Sequence, residues 1–235
     1  MLSSAAGTPD PRCTGIAPTW HTCVLILIFV ALGVGEMTGS RPVTPPSALP
    51  LYMGAITFEW LLFAYVWWGI RLRRYPLAAL IADERASYAR DTAIGIAIWV
   101  LWYGIESIVA FGLAAAGLTN TGARGTVFPH GVGLVVLWIV MAASSGFSEE
   151  IVFRGYFLRQ FSAWTGSTAL GVTLQAILFG IGHFYLGVRQ VVLIVVSGIL
   201  LGIVASRLRN LRPVMVTHAW ADVFGGIIVR GLPYK

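Results

Sequence analysis

Polar residues interrupt this chain only at intervals. Between them run seven apolar stretches, at about 20–35, 51–70, 92–118, 133–161, 168–186, 188–205 and 211–229. Within each stretch the apolar positions are continuous instead of alternating, so they read as helices and not as strands. Most approach or exceed the ~20 residues that carry a helix across ~30 Å of hydrocarbon. The first is short and reads as tilted or partly interfacial. The pattern predicts an all-α fold, a polytopic transmembrane bundle of about seven helices.

The punctuation fits this count. Residues 40–50 hold Pro42, Pro45, Pro46 and Pro50 and read as a loop. Residues 119–130 are polar and glycine-containing. Residues 71–90 mix arginines with Leu77, Leu80 and Ile81 and read as an interfacial segment. Residues 1–18, with Pro9, Pro11 and Pro18, read as a disordered tail and not as a signal peptide. Helices one to three then occupy 19–132 and helices four to seven occupy 133–230. Gly198, Gly202 and Ser206 form a row of small residues suited to close helix packing.

Composition places the chain in the membrane. It is 57% hydrophobic and 11% charged, with a mean hydropathy of +0.79, where soluble domains carry about 25% charged residues. The net charge of +6 is almost all arginine. In such a chain it reports topology, and no nucleic-acid partner is expected. Arg71, Arg73, Arg74, Arg85, Arg90, Arg159, Arg207, Arg209 and Arg212 fall on one side if the N-terminus is cytoplasmic and the C-terminus outside. Cys13 and Cys23 supply neither a disulfide framework nor a CxxC metal motif.

Against this background, Glu149, Glu150 and Arg154 stand out. A charge at bilayer depth costs ~2.5–3.5 kcal/mol, so a buried carboxylate pair points to a task. His183, His218 and Asp222 are the other polar groups in the apolar C-terminal half that could share it. Residues i and i+4 share a helix face, so Glu150 reaches Arg154, and His218 and Asp222 point the same way. Glu149 and Glu150 are ~100° apart around the axis and cannot do one job. Glu149 is assigned to a polar hollow and Glu150 to the pair with Arg154. From Glu149 to Phe161 is ~18 Å of helix, and from Thr168 to His183 is ~22 Å. His218 lies ~10 to 18 Å along the seventh helix, depending on where that helix starts. The three groups meet only if the fourth helix is long. If it stopped at Phe153, Glu149 and His183 would sit at opposite faces.

The pattern resembles the intramembrane CAAX-protease and bacteriocin-processing family, known as CPBP or Abi, which includes the type II CAAX prenyl endopeptidases. Its Glu-Glu-xxx-Arg, Phe-xxx-His and His-xxx-Asn/Asp motifs occur here in order. They are Glu149-Glu150 with Arg154, Phe179 with His183, and His218 with Asp222. The resemblance spans roughly 135–229. It implies an endopeptidase that cleaves membrane-associated, in some cases lipid-modified, proteins or peptides in a bacterial-type inner membrane. It implies catalytic roles for Glu149, His183, His218 and Asp222, with Glu150 and Arg154 in support. Glu149 would take a proton from water held also by His183, and His218 with Asp222 would stabilise the oxyanion. Asp222 stands where the prenyl endopeptidases carry Asn. Ionised, it cannot donate to an oxyanion, so it would orient His218 or must itself be protonated. A zinc version uses the same four residues as ligands, so the residues leave open either no required cofactor or zinc. Oligomeric state is not readable.

Plainer readings stand beside this one. Glu150–Arg154 could only pin helices together, and His183 or His218–Asp222 could be local polar contacts. Glu59 and Glu106, outside the three motifs, would line the hollow or balance an arginine. His21 and His130 read as incidental. A non-enzymatic immunity protein of the same fold, or an ion-coupled carrier, would use the same buried acids. There is no His-Glu-xx-His, no Gly-Asp aspartyl motif and no Gly-x-Ser-Gly.

Overall fold

The computed structural model describes residues 15–38, 47–82, 87–118 and 127–228, and the described residues form helices and no strands. Eight α-helices follow in order: α1 Thr19–Thr38, α2 Ala48–Leu72, α3 Leu77–Ile81, α4 Tyr88–Ala115, α5 Val132–Thr165, α6 Thr168–Ile181, α7 Val188–Leu208 and α8 Arg212–Ile228. Five of them (α1, α2, α4, α5 and α7) are long and apolar enough to cross a membrane. Helices α6, with 14 residues, and α8, with 17, are shorter and complete the bundle.

The boundaries refine the sequence reading in several places. Helix α1 is 20 residues long, so the first stretch is not short. Pro50 sits in the first turn of α2, not in a loop; the first helical N–H groups have no intrahelical acceptor, so proline costs nothing there. The 71–90 segment contains α3, whose Leu80 is fully buried, and Arg159 Nη1 donates to the carbonyl of Ala79 at 2.8 Å. Residues 1–14 of the expected tail, like 119–126 of the expected loop, lie outside the described residues. Ile16 and Ala17 are docked instead of loose. The side chain of Gln160 accepts from Ile16 N at 2.9 Å and donates to the Ala17 carbonyl at 3.1 Å.

Helix α5 is the spine. Its 34 residues run without a break through a seven-residue π-helical segment, Ile151–Phe157, in which every residue is buried. There Leu158 N–H bonds five residues back, to the carbonyl of Phe153. A π segment inside an α-helix inserts a wider turn and is often found at functional sites. Gly166, at φ +67°, ends α5 in the left-handed conformation that favours glycine. Ser167 then caps α6, accepting from Leu170 N at 3.3 Å. The chain therefore folds straight back, and α6 packs against the end of α5.

Helix α8 lies between α4 and α5, and glycine sets both contacts. A Cβ on Gly146 of α5 would stand 2.7 Å from Ala219 Cβ. A Cβ on Gly95 of α4 would stand 2.6 Å from the Pro213 carbonyl. Thr217 Oγ1 donates to the Gly95 carbonyl at 2.8 Å, and Arg212 lies 3.7 Å from Asp91. On the other side, Gly198 and Gly202 of α7 let α6 approach, and Gln175 Nε2 donates to the Gly198 carbonyl at 2.8 Å. Phe29, Phe153, Phe157, Phe161 and Phe179 form the aromatic centre joining α1, α5 and α6.

His21 is not incidental. It is fully buried. Its Nε2–H donates to the Tyr65 carbonyl at 2.9 Å, so its Nδ1 accepts from the Tyr156 hydroxyl at 2.8 Å. Tyr156 in turn receives a hydrogen bond from Thr22 at 2.8 Å. This chain ties α1 to α2 and to the π segment of α5. His130 is exposed.

Candidate active site

The last turn before the π segment delivers two carboxylates in different directions. Glu150 is fully buried, while the Glu149 side chain keeps 18% of its surface open. Glu150 Oε1 lies 3.1 Å from Arg154 Nη1, across one i,i+4 step. The same oxygen accepts from His218 Nδ1 at 2.8 Å. A carboxylate accepts only, so the Nδ1 proton of His218 is fixed on Glu150 and its Nε2 is turned the other way. That Nε2 lies 3.8 Å from Glu149 Oε2 and 3.6 Å from Asp222 Oδ2. Both distances are longer than a hydrogen bond, so neither carboxylate is spent on the ring.

Glu150 thus does more than pair with Arg154: it orients the imidazole that the family resemblance coupled to Asp222. Asp222 shares a face with His218, as i,i+4 requires, but stands on the Nε2 side. Side-chain exposure rises from 0% at Glu150 and Arg154, through 13% at His218 and 18% at Glu149, to 39% at Asp222. The hollow therefore opens on the Asp222 side. Trp138 Nε1 donates to the Asp222 main-chain carbonyl at 2.9 Å and holds α8 to α5 there.

His183 is placed differently from the sequence reading. Helix α6 ends at Ile181, and His183 stands beyond it, opening a short 3-10 turn, Phe184–Leu186. Its Nδ1 lies 2.8 Å from the Phe179 carbonyl. A carbonyl only accepts, so Nδ1 carries a proton and Nε2 is the ring nitrogen left outside that bond. The Phe179 ring lies 4.7 Å from the His183 ring and 6.2 Å from the His218 ring. The Arg154 guanidinium sits over the same phenyl face at 4.4 Å. Phe179 is therefore the floor that α6 shares with both imidazoles and with Arg154. It stands four residues before His183, and that spacing was its only signal in the sequence.

The two secondary acids sit on other helices. Glu59 of α2 is buried and accepts from Ser145 Oγ at 2.6 Å. It lies within electrostatic reach of Glu149, Asp222 and His218. Glu106 of α4 is half-buried and faces Asp222 and Arg189. Ser145 carried no signal in the sequence beyond lying four residues before Glu149.

As placed, Glu149, His183, His218 and Asp222 do not form a ligand set for zinc. Among the described residues no group of three or more His, Cys, Asp or Glu side chains is arranged to hold a metal ion.

Apolar helices that converge on acids and imidazoles define the class: an integral membrane protein with a buried ionisable centre. Residues 131–224 match the family model described as Type II CAAX prenyl endopeptidase Rce1-like, so this part of the chain is similar to the CAAX-type intramembrane proteases. Glu149, Glu150, Arg154, Phe179, His183, His218 and Asp222 all fall inside the matched residues, and Glu59 and Glu106 fall outside them. No curated protein and no solved structure matches the chain.

Proposed function

We propose that this protein is an intramembrane endopeptidase in which Glu149 activates water to hydrolyse peptide bonds of membrane-associated, including lipid-modified, proteins or peptides. One observation carries the reading: His218 is held by Glu150 on one side and faces two uncommitted carboxylates, Glu149 and Asp222, on the other.

Each group then has a task. Glu149 takes a proton from water, whose oxygen bonds to the scissile carbonyl carbon. The Nε2 of His183, in the neutral ring, accepts a hydrogen bond from the water's other O–H, which stays intact, and fixes its approach. The carbonyl π pair moves onto oxygen, where His218 Nε2, when protonated, stabilises the charge. The C–N bond breaks, and the proton on Glu149 passes to the leaving amine. Glu150 keeps His218 in one orientation, and Arg154 holds the Glu150 carboxylate in place. Asp222 faces the same imidazole edge and stabilises its charged form.

The setting follows from topology. The arginine-rich ends of α2, α5, α7 and α8 would face the cytoplasm of a bacterial-type inner membrane, with the N-terminus inside. The test is a comparison of protein termini in cells expressing the wild type or Glu149→Ala. New C-termini in membrane polypeptides, present only with the wild type, support the proposal. If Glu149→Ala leaves every terminus unchanged while a bound partner is retained, the protein is a binding or immunity protein.

A further inference from the structure

The reaction proposed above places a negative oxygen in a hollow that already holds Glu149 and Asp222, with Glu59 in range. Such an oxygen needs hydrogen-bond donors, and His218 supplies one. An ionised Asp222 supplies none. A further donor beside His183 is Tyr185, which no sequence motif singles out.

Tyr185 lies in the 3-10 turn that His183 opens, and the two rings are 5.8 Å apart and tilted by 30°. The turn is closed by Leu186 N–H on the His183 carbonyl at 3.0 Å and by Gly187 at φ +88°. The ring is thus fixed beside His183 by main-chain bonds. Four other tyrosine hydroxyls are engaged: Tyr52 on the Val127 carbonyl, Tyr65 on the His21 carbonyl, Tyr156 on His21 and Tyr75 with Arg159. The Tyr185 hydroxyl makes no hydrogen bond among the described residues. The charged groups within its electrostatic reach are Glu149 of α5, Asp222 of α8, Glu59 of α2 and Glu36 of α1, all acids. The side chain is also 39% exposed, so a substrate can reach it.

We propose that the Tyr185 hydroxyl is the second donor to the oxygen of the carbonyl under attack, opposite His218. The enclosing protein, and after it the charges of Glu149, Asp222, Glu59 and Glu36, raise the phenol above its ordinary value. Its O–H bond therefore stays intact wherever Glu149 can act as a base. No proton is transferred from Tyr185. The water proton goes to Glu149 and then to the amine, the carbonyl electron pair goes to oxygen and returns, and the phenol only donates a hydrogen bond while the charge exists. A donor used at that moment acts on the transition state and not on ground-state binding.

This inference rests on the peptidase reading, and the experiment separates the two. Purified wild type, Tyr185→Phe, Tyr185→Leu and Glu149→Gln are assayed in liposomes on one membrane-anchored peptide substrate. Removing one oxyanion donor costs on the order of 10²–10³ in kcat. Tyr185→Phe keeps the ring against His183 and is expected to lose kcat on that scale with KM within about twofold. Tyr185→Leu is expected to lose no less. Wild-type kcat in Tyr185→Phe, with Glu149→Gln inactive, overturns the Tyr185 proposal and leaves the peptidase reading standing. A loss confined to KM overturns it too, since it makes Tyr185 a binding contact. If the wild type itself cleaves nothing, the underlying reading fails and this one with it.

Discussion

Arg154 shows what a single residue contributes here. Its guanidinium is sealed from solvent, with Glu150 at 3.1 Å and the Phe179 ring at 4.4 Å. Removing one partner of a buried pair leaves the other charged and unpaired, at a cost of about 3–5 kcal/mol. Arg154→Met should therefore lower the thermal midpoint in detergent sharply. Arg154→Met with Glu150→Gln should recover part of that loss; a double variant that melts no higher than Arg154→Met would refute the pairing. His218 adds a second expectation. Because Glu150 fixes Nδ1, Glu150→Ala should lower kcat even where the fold survives, as a ring that can turn no longer presents Nε2. A circular-dichroism melt run beside the cleavage assay separates the two effects. At this scale the sequence was most informative where spacing alone decides geometry: i,i+4 brought Glu150 to Arg154 and put Asp222 on the face of His218. It was silent on which carboxylate holds which nitrogen, because that depends on how α5 and α8 are rotated against each other.

Helices α5 and α8 meet through a glycine, and the site depends on that approach. A side chain on Gly146 would collide with Ala219 Cβ at 2.7 Å and the Met215 carbonyl at 2.8 Å, one turn from His218. Overpacking of this kind costs about 1–3 kcal/mol, and here it also moves His218 off Glu150. Gly146→Val should lose activity by much more than its stability loss explains. Gly104→Ala in α4, where a Cβ meets nothing within 4 Å, should change neither. Cleavage rates and melting temperatures of the two variants, side by side, check this. Helix existence was readable from the apolar runs. The end of α6 was not. Apolar residues continue past Ile181 to Leu186, so hydropathy did not mark the stop, and His183 proved to lie on a turn and not on a helix. The π segment was equally hidden, because Ile151–Phe157 reads as ordinary apolar helix until its hydrogen bonds are seen.

Across the whole molecule, the N-terminal and C-terminal halves are tied by polar bonds inside the apolar core. Gln160 grips Ile16 and Ala17, and His21 joins Tyr65 and Tyr156. Losing a buried hydrogen-bonded group costs about 1–3 kcal/mol. Gln160→Ala should lower the melting temperature while leaving KM unchanged, since it touches no part of the hollow. The sequence suggested a tail here because three prolines and few apolar residues precede α1, and nothing local reveals a partner 143 or 144 residues away. The long α5, by contrast, was required by the argument from depth, and it is continuous over 34 residues. Charge distribution adds an expectation for the whole chain: a reporter fused at the N-terminus should be active only in the cytoplasm. Periplasmic activity of that fusion would invert the orientation without changing the site.

The central claim is that Glu149 activates water beside the imidazoles of His183 and His218. The most direct measurement is cleavage by the purified protein in liposomes containing a library of membrane-anchored peptides, with products read by mass spectrometry. The account predicts defined new C-termini with the wild type, and a rate at least about 10²-fold lower for Glu149→Gln, the scale of a general base. Cleavage by Glu149→Gln at the wild-type rate, or intact peptides after incubation with a folded wild type, would contradict it.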